Sequence, residues 1–318
     1  LSRRQRQMCI RDSCDRPLFY LNEKLYRIFL FSYPGKENKN YIPYLCEDII
    51  EHRPPMEANG NIDLSTACYG EIKQNAYSLA ILPWGATEPH NQHLPYLTDC
   101  ILSHEIALDT AQQVWRSHQI RCMVLPPVFM GSQNPGQRDL PFCIHSRYET
   151  QKAILTDIVA SLHYQGLCKL VIINGHGGNN FKNMIRDLAV DYPDFLIAST
   201  EWFTIVPPNN FFEEKDDHAG ELETSVMLHY HPERVNMPLA GTGDSHPFSL
   251  PSLNEKIAWI PRNWQRVTTD TGIGDPRKAN AKKGKCYVEA VTKKLGQLFI
   301  ELAQTEDIYE KVLPKGKV

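Results

Sequence analysis

The sequence contains no long apolar run. None of its 318 residues lies in a stretch approaching the roughly 20 that a membrane-spanning helix needs, and the longest candidates, near 78–83 and 170–173, have strand length. It also lacks an excess of either charge, with 34 Lys plus Arg against 37 Asp plus Glu. That balance offers no electrostatic footprint for nucleic acid or for an anionic membrane surface. No CxxC pair occurs among the nine cysteines, at 9, 14, 46, 68, 100, 122, 143, 168 and 286. The odd number and irregular spacing argue against a disulfide scaffold or a zinc finger, and fit buried thiols in a reduced, cytoplasmic protein. The basic start, LSRRQRQMCIRDSCDR, is not followed by the apolar segment of a secretory signal. Internal repeats, low-complexity tracts, the dinucleotide fingerprint GxGxxG and the P-loop pattern are absent as well. A soluble protein is expected.

What is present suits a sizeable core, since 42% of residues are apolar and 22% charged. Residues 1–55 differ from the remainder, running from the Arg-rich start through a short apolar stretch to the Pro54-Pro55 pair. They read as an extension, partly artefactual and dispensable for chemistry, ahead of a domain covering 56–318, with Met56 as a plausible start. From about 60 onward strand-like and helix-like patterns alternate. Strands are predicted at 78–83, 121–128, 169–174 and 195–199. Helices are predicted at about 101–115, 154–162, 181–188, 220–229 and 276–304. Continuous apolar strands between amphipathic helices indicate an α/β sheet covered on both faces.

Three polar clusters follow predicted strands, where open α/β sheets place their ligands. They are WGATEPHNQHLPYLTD (84–99), NGHGGNN (174–180) and DDHAGELETS (216–225). Together they supply His, Asp and Glu with little Lys or Arg, a donor set suited to Zn, Mn or Fe. Glu88 and His90 flank Pro89 and can point to the same side of an extended segment. Asp99 reads either as a further donor or as the cap of the next helix, Glu88 either as a donor or as a loop charge, and His93 as a packing residue. His176 sits among glycines that allow close approach of a ligand, and its imidazole favours a metal over a phosphate cradle. On a helix begun by His218, that residue shares a face with Glu221 or Leu222 and Ser225, while Glu223 points elsewhere. Glu221 is read as favourably placed near the positive end of the helix dipole. His218 suits proton transfer because it titrates near neutrality. Trp84 and Trp202 are candidates to wall a pocket, with core packing as the alternative.

These blocks resemble a known family. LPWGATEPHNQHLPYLTD is similar to LPxGxxExHGxHLPxxTD, and VIINGHGGNN to xxxNGHGGN. DDHAGELETS resembles HAGxxETS, and TGIGDPRKANAKKG resembles GxxGDPxxAxxxKG. All four stand in the order found in the creatininase (creatinine amidohydrolase) family, from about 63 to 302. The resemblance implies a three-layer α/β/α fold with a largely parallel central sheet and a centre of two divalent ions. It implies Glu88, His90, Asp99 and His176 as metal ligands with Asp99 bridging, Glu223 as a further ligand, and His218 in proton transfer. Gly177 and Gly178 fall on its substrate side, and the family forms homo-oligomers, typically hexamers.

Several positions depart from the pattern. Asn91 stands where Gly is usual, Pro89 where Gln is common, and LPFC (140–143) where many members read FPGT. Creatinine hydrolases resemble NGHYEN in the second block, with a carboxylate where this chain has Gly178, so creatinine is not the expected substrate. The expected activity is metal-dependent hydrolysis of a C–N bond in a small-molecule amide, cyclic amide or formamide. The rival readings are a nucleotide or sugar-phosphate binding protein using NGHGGNN as an anion nest, a lactone-like hydrolase with the same centre, and an assembly component without turnover.

Overall fold

The computed structural model describes residues 60–215 and 217–309. The expectations for 1–55, including three of the cysteines, and for Asp216 lie outside the described residues. After the turn α1 (Tyr69–Ile72), the chain alternates β1 (Leu79–Trp84), α2 (Thr98–His118), β2 (Cys122–Val124), α3 (Tyr148–Tyr164), β3 (Lys169–Asn174), α4 (Lys182–Asp191) and β4 (Leu196–Glu201). Helix α5 (Glu221–Tyr230), the short α6 (Pro251–Asn254) and α7 (Trp264–Val267), and the long α8 (Ala281–Gln304) complete it. The four strands pair in the order β2-β1-β3-β4, all parallel. The α/β class is therefore observed, with a wholly parallel sheet.

Side chains alternate across a strand, and here the alternation separates two cores. Leu79, Ile81, Val171 and Ile173 face a layer built from α2, α5 and α8, where Ile106, Val226, Val291 and Phe299 are buried. Ala80, Leu82, Leu170 and Ile172 face the other side, against Leu155 and Val159 of α3 and Met184 and Leu188 of α4. Each fully buried aliphatic side chain contributes about 1.5–3 kcal/mol, so both faces of the central strands stabilise the sheet.

Three boundaries differ from expectation for identifiable reasons. Strand β2 ends at Val124 because Pro126 and Pro127 have no N–H to donate to the ladder. The C-terminal helix does not run unbroken from 276. Pro276–Lys278 forms a tight turn, and Asn280 then caps α8 by accepting a hydrogen bond from the Lys283 N–H (3.0 Å). Helix α5 begins at Glu221, and His218 lies before it in an antiparallel bridge to Ile273. The helical-face relation expected between His218 and Glu221 therefore does not exist.

From β1 the chain crosses to β2 on one side and then returns to β3 on the other. The crevice between the C-terminal ends of β1 and β3 is thus the point where strand order reverses, and open α/β sheets gather their ligand groups there.

Candidate metal centre

The segments leaving β1 and β3 meet in that crevice. Gly175 makes the approach possible, because a Cβ there would stand 2.4 Å from the backbone oxygen of Asp99. Glu88 and His90 come from the exit of β1, Asp99 from the second position of α2, His176 from the exit of β3, His218 from the bridge before α5, and Glu223 from the first turn of α5. Glu88, His90, Asp99, His176 and His218 are all buried. Their donor atoms, with that of Glu223, form three overlapping groups whose members lie within 4.8 Å of one another. The groups are Glu88–His90–His218, Glu88–Asp99–His176 and His90–Asp99–Glu223.

One nitrogen of each imidazole is already committed. His90 Nδ1 donates to the Glu88 carbonyl (3.0 Å), His176 Nε2 to the Ser132 carbonyl (2.7 Å) and His218 Nε2 to the Pro89 carbonyl (2.9 Å). In each neutral ring the other nitrogen must then carry the lone pair. Those nitrogens face carboxylates. His90 Nε2 is 2.9 Å from Asp99 Oδ1, and His176 Nδ1 is 2.7 Å from Glu88 Oε1 and 3.2 Å from Asp99 Oδ2. His218 Nδ1 is 3.9 Å from Glu88 Oε1, beyond hydrogen-bond reach. Backbone acceptors that fix the tautomer of a histidine, with its free nitrogen among carboxylates, are the surroundings a ligating imidazole has in metal sites.

The electrostatics agree. Burial opposes charge on His90, but the Asp99 carboxylate beside it dominates and pushes it up to about 10. His176 is likewise raised well above the ordinary histidine range, against its burial, by Glu88 and Asp99. Burial would raise Asp99 and Glu88, yet the neighbouring imidazolium charges hold both below the usual carboxylate range. His218 goes the other way, with burial lowering it. Protons on His90 and His176 therefore compensate the carboxylates, and a divalent cation can take their place. Glu88 Oε1 and Asp99 Oδ2 are buried and make no hydrogen bond satisfying both distance and angle. Once the protons on His90 and His176 are displaced, these oxygens face lone-pair nitrogens, a donor set that fits a divalent ion.

The departures from the family pattern have structural accounts. Asn91 has φ 51°, a left-handed conformation that asparagine tolerates next best to glycine. Its side chain also ties down Gly241 in both directions (2.9 and 3.3 Å). Pro89 contributes its carbonyl to His218, a role any residue can fill. Gly178 is required by a close approach, since a Cβ there would stand 2.1 Å from the Ser132 oxygen and 2.4 Å from His176 Nε2. A glutamate at 178 would collide with the bond that fixes His176. On α5, Glu223 accepts from the Ala219 N–H (2.5 Å) and groups with His90 and Asp99. Glu221, two residues earlier, is fully buried and turned away. It accepts from the backbone N–H groups of Glu213 and Glu214 (2.8 Å each) and from Lys283.

Above the cluster opens a cavity of about 1260 Å³, lined by Glu88, His176 and His218, by Gly177 and Gly178, and by the 245–262 segment. Trp84 and Trp202 are not among its lining residues. Both are fully buried in the two cores, Trp84 edge-on to Phe181 with its Nε1 donating to the Met130 carbonyl (2.9 Å). Trp259 and Trp264 line the cavity in their place. The altered 140–143 loop does not reach it either, and Phe142 points to solvent. Residues that sequence reasoning missed come from just before that loop, namely Ser132, Gln133, Asn134 and Gln137. In the NGHGGNN block, Asn174 and Asn179 serve as scaffold. Asn174 Oδ1 accepts from the His176 N–H and from Asn179 Nδ2 (3.1 Å each). A motif signal could have found these two asparagines. A lone loop glutamine gives none.

The sequence profile for creatinine amidohydrolase matches residues 63–299. The chain belongs to the creatininase family. This creatininase-family chain resembles a Bacteroides fragilis protein of known structure, given the provisional name creatinine amidohydrolase. The two are 60% identical with a TM-score of 0.78, covering 79% of this chain and 100% of that one. It is 27% identical over 240 residues to the mycofactocin precursor peptide peptidase of Mycobacterium tuberculosis, covering 70% of this chain and 84% of that protein. A manganese creatininase shares the fold at 20% identity and a TM-score of 0.64, covering 77% of this chain and 100% of its own. The family is one of hydrolases acting on C–N bonds, and this chain is an enzyme of that kind. Among the described residues, no helix is long and apolar enough to cross a membrane.

Proposed function

We propose that the chain is a divalent-cation-dependent amidohydrolase that cleaves a C–N bond in a small-molecule amide, cyclic amide or formamide. One observation carries this reading. Two buried carboxylates, Glu88 and Asp99, present oxygens without hydrogen-bond donors to imidazoles whose tautomers are fixed by backbone carbonyls. Glu88, Asp99 and His176 would hold one ion and His90, Asp99 and Glu223 a second, with Asp99 common to both. Such ions, when bound, supply Lewis-acid polarisation and a nucleophilic water at neutral pH. Zn, Mn and Fe all suit this donor set.

The chain's own residues do the rest. His218 is held at Nε2 by the Pro89 carbonyl, and burial keeps it neutral, so Nδ1 is the atom that takes a proton and passes it to the departing nitrogen. Its 3.9 Å separation from Glu88 Oε1 leaves Nδ1 uncommitted to that carboxylate. Gly177, with open space where a Cβ would be, lets substrate approach His176, and Gly178 keeps the wall beside it flat. The missing carboxylate at 178 argues against creatinine as the substrate. An anion nest is disfavoured because Glu88 and Asp99 face the same imidazole that a phosphate would use.

Several wider expectations belong to the same proposal. The six described cysteines are free, but only Cys100 and Cys122 among them are buried, while Cys68, Cys168 and Cys286 are exposed. The expectation of buried thiols therefore holds for a minority. Burial pushes Cys100 and Cys122 up to about 12. Exposed Phe129 and Phe142 suit a homo-oligomer, a hexamer by family likeness. Residues 56–318 are taken to carry the whole activity, so truncation to Met56 is expected to leave it unchanged. The decisive experiment is metal quantification, followed by a panel of cyclic ureides, formamides and short amides with and without chelator. Two bound divalent ions per chain and chelator-sensitive hydrolysis are expected. An ion-free protein whose hydrolysis survives chelator would end the reading.

A further inference from the structure

Glu88 has two oxygens with different surroundings. Oε1 lies 2.7 Å from His176 Nδ1 and faces the cluster, whereas Oε2 accepts a hydrogen bond from Gln137 Nε2. Gln137 is 1% exposed and sits on the tight turn Gln137–Asp139. Its other amide atom is committed too, since Gln137 Oε1 accepts from the Asn134 backbone N–H (2.6 Å). The amide therefore has one allowed orientation. Flipping it would set its carbonyl against the Glu88 carboxylate and its NH₂ against a backbone donor.

We propose that Gln137 is a positioning residue that holds Glu88 as a one-oxygen donor and thereby sets the affinity of the Glu88–Asp99–His176 cation site. This rests on the cation reading given above and adds to it a residue outside all four family blocks. A free carboxylate can meet a cation with one oxygen or with two. With Oε2 turned to Gln137, one of its two lone pairs is occupied and the carboxylate is held with Oε1 towards the cluster, which favours one-oxygen contact. Outer partners of this kind orient the ligands they touch, and losing one costs about 10–100-fold in metal affinity.

The turn that carries Gln137 is itself anchored. The Trp264 N–H donates to the Pro135 carbonyl (2.7 Å), and the Trp264 indole meets the His218 ring edge-on, with centroids 5.3 Å apart. Gln137 also lines the cavity. The loop thus supports a proposed ligand through Gln137 and, through Pro135, holds the Trp264 that backs the proposed proton carrier.

The test strips the full chain of metal and titrates it with Co²⁺ alone, following visible absorption, for the wild type and for Gln137→Met. Methionine has similar length and no donor. Wild type is expected to show two binding steps, and Gln137→Met to weaken one of them by about 10–100-fold. The absorption band of that step should also change, because Glu88 becomes free to use both oxygens. A role in loop packing alone would move neither. Melting of the chelated proteins shows whether the fold is kept. Should Gln137→Met fail to fold, Gln137→Asn, which retains the amide and loses only the reach, takes its place with the same expectation. Equal affinity and an unchanged spectrum in a folded variant overturn the assignment of Gln137 and leave the cation reading intact. A wild type that binds no Co²⁺ overturns both.

Discussion

Two regions of this molecule bury carboxylates, and they solve the problem differently. Around Glu221 the chain supplies everything needed. Lys283 provides a cation, and two backbone N–H groups complete the shell. Around Glu88 and Asp99 it does not, since among the described residues their ion-pair partners are all histidines. Removing a carboxylate from water costs several kcal/mol unless it is paired and hydrogen-bonded. The first region is self-sufficient and structural. The second is complete only with protons, or with a cation drawn from outside the chain.

The contrast can be broken most severely at Asp99. Asp99→Ala is expected to abolish binding of both cations and to lower turnover by about a thousandfold or more, the rate equivalent of several kcal/mol. Elemental analysis of the purified variant checks it, and retention of either ion at wild-type level would sink the shared role. His218→Ala should keep the metal content and lower turnover by about 10²–10⁴. Metal loss equal to that of Asp99→Ala would show that His218 is a ligand. On the self-sufficient side, Lys283→Met should leave metal content unchanged and cost about 2 kcal/mol of stability, because Glu221 is left buried without its cation. Denaturant unfolding with and without metal separates the two effects.

The smallest expected effect concerns pH. With chelator present, His90 stands at about 10 against an ordinary 6.5, so its protonated form stabilises the folded state in full below about 6.5. That contribution is lost as the pH rises through 10. The melting midpoint of chelated protein should therefore fall between those values, and added divalent cation should restore it, releasing protons as it binds. His176 acts in the same direction. A midpoint that rises over this window would contradict the assignment.

Much of this arrangement was legible in the sequence. KLVIIN was predicted at 169–174 and forms β3 with those bounds, because an unbroken apolar run with Gly just beyond it admits few alternatives. The ligand set Glu88, His90, Asp99 and His176 comes from the resemblance to the family, since the residues alone leave Asp99 open as a helix cap and Glu88 as a loop charge. Other features had no local signature. Spacing runs the helix from His218 and sets Glu223 off that residue's face, whereas α5 begins at Glu221 and Glu223 groups with His90 and Asp99, where the resemblance implies a ligand. Trp84 and Trp202 lie at strand ends, where sequence alone does not say which face an indole takes. Gln137 acts through a contact 49 residues away in the chain, and no spacing rule reports such a contact.

Glycine at 175 lets the exits of two non-consecutive strands come together, and asparagine at 91, with φ 51°, ties the exit of β1 to Gly241. The cage they close draws on position 88 and position 223 alike. In the proposed arrangement, the cation site that uses Glu223 would fill only after α5 has left the ribosome and docked, whereas Glu88, Asp99 and His176 all precede that helix. Filling of that second site would then be a late step in biosynthesis, following synthesis of most of the domain.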